Sequence, residues 1–166
     1  MRRTVSTLAL GLIAAVGVAA VATSCGSSTS TTNKQYVANL IAANEGGNVT
    51  SAGSGVFTFV DIGTEIDWTL TLTNITNVTA SHIHLGTAAN VGTTAGPVII
   101  NLYLPNRPPE TGTLNGFVAQ GTITNANNSS VSLDSLRVLF NNGHAYANVH
   151  TLVNSGGEIR DQVHPM

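Results

Sequence analysis

Apolar and polar residues alternate along much of this chain. The runs from Gly55 to Asp61 and from Glu65 to Thr73 are extended in pattern and are separated by Ile62-Gly63-Thr64, which predicts a hairpin. In the second run Ile66, Trp68, Leu70 and Leu72 share one parity and so one face, leaving Asp67, Thr69, Thr71 and Thr73 for water. Further strands are expected over Tyr36 to Ala42, Thr79 to Leu85, Gly96 to Leu104, Gly116 to Thr124, His144 to Val153 and Glu158 to Val163, each bounded by Gly, Asn or Pro turn residues. Leu133 to Phe140 departs from this pattern. Leu133, Leu136, Leu139 and Phe140 recur at helical spacing behind Ser132 and Asp134, which can cap a first turn, so one short helix is expected there. About eight short, evenly spaced strands bury one face each most economically in an all-β sandwich or closed barrel.

The first residues belong to export rather than to this fold. Arg2 and Arg3 precede an apolar run from Leu8 to Ala22 that stops at Thr23 and Ser24, the layout of a signal peptide over residues 1–24. The run is short for a membrane span, and a Ser/Thr tract follows it instead of a charged stop-transfer flank. Cys25 is the one cysteine, so no disulfide can form within the chain. Val21-Ala22-Thr23-Ser24-Cys25 resembles a bacterial lipobox, with Ala22 in place of the usual leucine. Cys25 is therefore expected to be lipidated and to act as an anchor. The stretch from Gly26 to Asn33 has no apolar residue to offset the entropy of ordering, so residues 25–35 are expected to form a lipidated, flexible tether ahead of a single domain over 36–164.

Charge narrows the function. Without Arg2 and Arg3 the cations are Lys34, Arg107, Arg137 and Arg160 against eight acidic residues, with no basic cluster, so nucleic acid is not an expected partner. Charged residues make up 8% of the chain, and Thr, Asn, Ser and Gly supply its polarity, which favours strands over solvated helices. The expected setting is the cell envelope, outside the cytoplasm, with membrane contact through the lipid.

The candidate chemistry is histidine. His82 and His84 lie two apart on a strand and point the same way, about 7 Å apart at the backbone, within reach of one ion. Ile83 and Leu85 take the opposite parity, toward the core, so both imidazoles face outward. On the later strand Ala145, Ala147 and Val149 oppose a polar face carrying His144, Tyr146, Asn148 and His150. If the two strands are neighbours, His82, His84 and His150 converge into a copper or zinc site with an open position. Binding should then fade below about pH 6, as free imidazole protonates. His144 is expected to be solvent-exposed and His164 to fray with the terminal Val163-His164-Pro165-Met166 tail. Glu158 and Arg160 share a strand face, where they can pair with each other or bind a loop carbonyl. Ser81 adjoins a histidine, but no strand-to-helix nucleophile elbow accompanies it, so no catalytic residue is assigned. The Asn-x-Ser/Thr triplets at Asn48, Asn74 and Asn77 fit Thr-rich strand and turn sequence in a bacterial lipoprotein.

Several tracts together resemble the CHRD domain, the module named from chordin. They are Tyr36-Val37-Ala38-Asn39-Leu40 with Asn44-Glu45, Ser81-His82-Ile83-His84-Leu85-Gly86, Gly96-Pro97-Val98-Ile99, Gly112 and Gly121, Tyr146-Ala147-Asn148-Val149-His150-Thr151, and Gly157-Glu158-Ile159-Arg160-Asp161-Gln162. The chain departs from the family pattern at Gly46-Gly47-Asn48, where prolines are usual, and at Asp161, where glycine is. The resemblance implies an extracytoplasmic β-domain with no settled biochemical activity. A more distant similarity, in fold and ligand style, is to copper/zinc superoxide dismutase, a Greek-key barrel that also uses a His-x-His strand. That enzyme's bridging histidine, zinc aspartate and disulfide have no counterparts here. The expected function is a lipid-anchored binding or structural module, with an unidentified protein or small-ligand partner and a possible histidine metal site. The alternative is a metal-dependent redox enzyme or metal carrier.

Overall fold

The computed structural model describes residues 33–87, 95–104 and 110–166. The expected signal peptide, Cys25 and most of the tether lie outside the described residues. The elements run β1 (Lys34–Ile41), a one-turn 3-10 helix (Ala42–Asn44), β2 (Ser54–Asp61), β3 (Ile66–Leu85), β4 (Val98–Tyr103), β5 (Glu110–Ile123), α1 (Leu133–Asn142), β6 (Ala145–Thr151), β7 (Ile159–Gln162) and β8 (His164–Pro165). Five strands in the order β2-β1-β7-β6-β3 close on themselves through antiparallel β2–β3 pairing. The result is a barrel rather than a sandwich. β4 and β5 add to β3, and β8 adds to β1.

The largest departure from the sequence pattern is in β3. Glu65–Thr73 and Thr79–Leu85 read as separate strands, yet one 20-residue strand spans both. Asn74 and Asn77 take left-handed backbone conformations (φ of 55° each), which asparagine adopts more readily than most residues, and extended pairing continues across them. Register shifts mark these positions, between Leu72 and Ile75 and between Thr76 and Val78 against β5, and again between Val78 and Ala80 against β6. Two other expectations also change. β1 begins at Lys34, two residues ahead of Tyr36, and His164 pairs with Val37 in β8 instead of fraying, although its side chain stays exposed.

The barrel interior follows the predicted parity. Tyr36, Ala38 and Leu40 of β1, Phe57 and Phe59 of β2, and Ile66, Trp68, Leu70 and Leu72 of β3 are all buried. Phe140 of α1 contacts two of these rings edge-on or tilted, with centroids 5.1 Å from Tyr36 and 5.2 Å from Phe59. The helix starts where Ser132 accepts a hydrogen bond from the Ser135 N–H, and stops at Gly143 in a left-handed C-cap. Arg137 ties it to the end of β2, donating from Nε to Asp61 Oδ2 at 2.7 Å and from Nη2 to Asp61 Oδ1 at 2.9 Å. That guanidinium holds the Asp61 carboxyl below its ordinary pKa, outweighing burial.

Phe140→Ala should therefore lower unfolding free energy by about 3–5 kcal/mol, the usual loss for emptying an aromatic site in a core. Val138→Ala, on the exposed side of the same helix, should change it by less than about 0.5 kcal/mol. Urea unfolding followed by Trp68 fluorescence measures both, and equal losses would contradict this packing.

Candidate metal centre

Strand pairing brings the histidines together. β6 lies antiparallel to β3 with His82 opposite Asn148, His84 opposite Tyr146 and Ala80 opposite His150. His150 is thus one step along the ladder from His82 on the same face. Ring centroids are 4.8 Å apart for His82–His150, 5.8 Å for His82–His84 and 6.1 Å for His84–His150. One ring nitrogen from each lies within 4.8 Å of the others. Among the described residues this is the group of histidine, cysteine or carboxylate donors placed to share an ion.

Two backbone carbonyls set the tautomers. His84 Nδ1 is 2.7 Å from the Gly96 carbonyl, and His150 Nδ1 is 2.9 Å from that of Ser155. A carbonyl only accepts, so both Nδ1 atoms carry the proton and both Nε2 atoms present lone pairs. Donation of the second ring N–H to a carbonyl is the usual way a ligating histidine is oriented. His82 Nδ1 lies 3.0 Å from His150 Nε2, so His82 donates there in the metal-free chain. His84 Nε2 is buried with no hydrogen-bond partner. An ion bonded at about 2.0–2.1 Å to tetrahedral nitrogens holds them about 3.3 Å apart, so small movements of these rings would enclose one. The proton on His82 would move to its other nitrogen, freeing Nδ1.

The sequence predicted that these histidines face outward, and they do lie outside the barrel, but His84 is sealed from solvent and His82 and His150 are half-buried. His84 is 4% exposed, Tyr146 2% and Asn148 1%. A second buried layer, this one polar, covers the outer faces of β3, β6 and β7. Tyr146 stacks on His84, with planes 7° apart and centroids 5.0 Å apart, and accepts a hydrogen bond from the Gly96 N–H. Arg160 lies over the Tyr146 ring, 5.2 Å from its centroid, and its Nε donates to the Asn44 carbonyl at 2.6 Å. Its ionic partner is Glu45, 3.5 Å away, and not Glu158. Glu158 accepts from Thr151 and Ser51, each at 2.6 Å, and so braces the turn after β6. His144 is exposed, as expected.

Burial sets the charge state. Desolvation, with help from the neighbouring His150 and His84, lowers His82 to about 4. Desolvation also lowers His84, against the opposing pull of the Gly96 carbonyl and Asn148. His150 is lowered the same way, opposed by the Ser155 carbonyl. All three are neutral, and so competent to ligate, at pH 7. Glu45 is raised to about 7, by burial that the Arg160 charge only partly offsets. A cavity of about 480 Å³ is lined by Glu45, Gly47, Gly157, Arg160 and Ser155 among others, the last of which holds His150 through its carbonyl. Gly157 is required there: its φ is +131°, and a Cβ would come within 2.5 Å of Glu45 Oε1. A second cavity of about 480 Å³, lined by Trp68, Asn101, Gln120 and Asn127 among others, has no ionisable side chain in its walls.

The sequence pattern placed His82, His84 and His150 on the right face. It gave no role to the carbonyls of Gly96 and Ser155, which no side-chain pattern encodes. It also missed Asn148 as a buried neighbour of the site, although the Tyr146-to-Thr151 tract contained it.

The lowered His82 pKa shifts the acid limit expected for free imidazole. In the metal-free protein the His82 ring should titrate near pH 4 by NMR, and a midpoint near 6.5 would show that it is not buried in this way. The unfolded chain takes up this proton near pH 6.5, so His82 contributes stability in full above that pH and loses it as pH falls toward 4. The lowered pKa values of all three place the acid limit of metal binding below that of free imidazole.

The comparisons with known proteins bear on the whole of this domain. A family model described as the CHRD domain matches residues 36–163. No curated protein and no solved structure matches the chain.

Proposed function

Because the chain belongs to the CHRD domain family, with no activity attached to that membership, we propose that it is an extracytoplasmic module, held to a membrane by a lipid on Cys25, that binds one copper or zinc ion through His82, His84 and His150. The observation that carries the metal reading is a group of three imidazoles with one ring nitrogen from each within 4.8 Å of the others, two of them oriented by carbonyls and His84 Nε2 buried and unpartnered. A buried ring nitrogen without a partner costs free energy of about 1–3 kcal/mol, and an ion would remove that cost. Neutral nitrogen ligands suit copper and zinc, and three of them leave a position open.

The membrane reading rests on the sequence: Arg2 and Arg3, the apolar run, and Cys25 at its end. Cys25→Ala should move the protein from the membrane fraction to the soluble fraction in a bacterial host. A variant that stays membrane-bound would refute the anchor.

Protein purified without an affinity tag should contain or take up one equivalent of copper or zinc by metal analysis. His82→Ala, His84→Ala and His150→Ala should each weaken binding at least about 100-fold, since outer-shell partners alone are worth 10–100-fold. Equal affinity in all three variants would refute the site.

A further inference from the structure

The polar layer holds more unpartnered atoms than the metal explains. Among the described residues, buried side-chain atoms without a hydrogen bond of normal geometry include both Asn148 amide atoms, which still lie close enough to His84 to favour its protonated form, and Arg160 Nη2, besides His84 Nε2. Strand register sets them side by side. His82 of β3 is opposite Asn148 of β6, and Asn148 is opposite Arg160 of β7, so the three form one cross-strand row on the same face. Neighbouring strands are about 4.8 Å apart, which puts the Asn148 amide beside the histidine cluster and the Arg160 guanidinium one strand farther on.

Charge indicates what would satisfy this row. A divalent ion on three neutral imidazoles keeps its full double charge. Arg160 adds another positive charge, and its ion-pair partner Glu45 offsets at most one of the total. Asn148 and Arg160 are 1% and 5% exposed while His82 at the end of the row is half-buried, so the room beside Asn148 suits a small occupant. A cavity lined in part by Arg160 and Ser155 lies at the Arg160 end of this row.

We propose that the open position of the ion takes a small monoanion, such as bicarbonate, formate or azide, hydrogen-bonded by the Asn148 carboxamide with the Arg160 guanidinium behind it. This rests on the three-histidine metal reading and adds to it the chemical class of the exogenous ligand. Asn148 Nδ2 donates to the anion, and Asn148 Oδ1 accepts where the anion carries a proton, as bicarbonate does. Asn148 is thus a recognition residue for this ligand and not a ligand of the metal.

The test uses the untagged protein loaded with Cu(II) and titrated with azide, followed by the azide-to-copper charge-transfer band and by EPR. Saturable one-to-one azide binding is expected, with displacement by bicarbonate and formate and none by equal concentrations of methanol. Asn148→Leu, which removes both polar atoms at similar volume, should weaken azide at least about tenfold when measured at copper saturation, the usual worth of a hydrogen bond to a charged group. Asn148→Asp, which sets a carboxylate against the anion, should weaken azide by as much or more. Absence of the azide band in copper-loaded protein would mean that the position holds water only, and would overturn the proposal. So would an unchanged azide affinity in both variants, or displacement by methanol. Failure of the parent protein to bind copper or zinc at all would instead defeat the metal reading, and this inference with it.

Discussion

The offsets in β3 are the constraint on which the rest of the structure depends. Side chains on a strand alternate with a period of two, so the inward face at Ile66, Trp68, Leu70 and Leu72 would, in an unbroken strand, continue inward at 82 and 84. The two histidines would then lie inside the barrel among aromatic and aliphatic side chains, where an imidazole cluster has no room and no polar partner. Three register shifts lie between Leu72 and Ser81. The buried positions pass from even numbers at Leu72 to odd at Ile75, back to even at Val78 and to odd again at Ile83, three reversals that leave the parity inverted. His82 and His84 are thereby turned to the outside of the same strand. The barrel wall and the candidate site are one piece of backbone, which lets the core's rigidity position the site.

The outer face then departs from the usual pattern of a barrel with a wet exterior. Tyr146, Asn148, His84 and Arg160 are as buried as core residues, yet every one of them is polar. A polar group in such a place is costly unless it is fully partnered, and here the partnering is incomplete. Apolar residues of similar size would fold at least as well, because they leave nothing unsatisfied. Conflicts between local rules and the fold concentrate where a protein does something, and this layer holds the largest such conflict in the described residues. The second cavity, with its neutral amide and apolar lining, presents none.

Most of the architecture was legible from alternation because the barrel has one dry face per strand. The hairpin of β2 and β3, the inward parity of Trp68 and its neighbours, and the capped helix behind Ser132 all follow from local rules. The continuity of β3 was not legible. Asn74 and Asn77 read as turn residues, and whether a left-handed asparagine ends a strand or merely offsets it is decided by the neighbours it pairs with, β5 and β6, which are remote in sequence. The site was partly legible for the same reason. The parity of His82, His84 and His150 could be read from each strand separately, but their burial depends on what covers the face: the Gly96 and Ser155 segments and the turn at Asn44 and Glu45, contributed from three distant stretches of chain.

That cover also determines how the cluster behaves toward protons. Three imidazoles in open water near pH 6 would carry shared charge and repel a cation. Desolvation favours their neutral forms, and the two carbonyls hold the protons of His84 and His150 on Nδ1, which leaves the Nε2 lone pairs for a partner. The metal-free state is consequently the strained one. It holds a ring nitrogen without a partner at His84 and spends the His150 lone pair on His82. A cation entering the cluster exchanges one hydrogen bond for three coordinate bonds and expels no proton, since each imidazole already has a free or releasable lone pair on one nitrogen and a place for its proton on the other. On this account affinity comes chiefly from preorganisation by the strands and carbonyls, and any anion that follows the metal enters a pocket whose polar atoms are already unpaired.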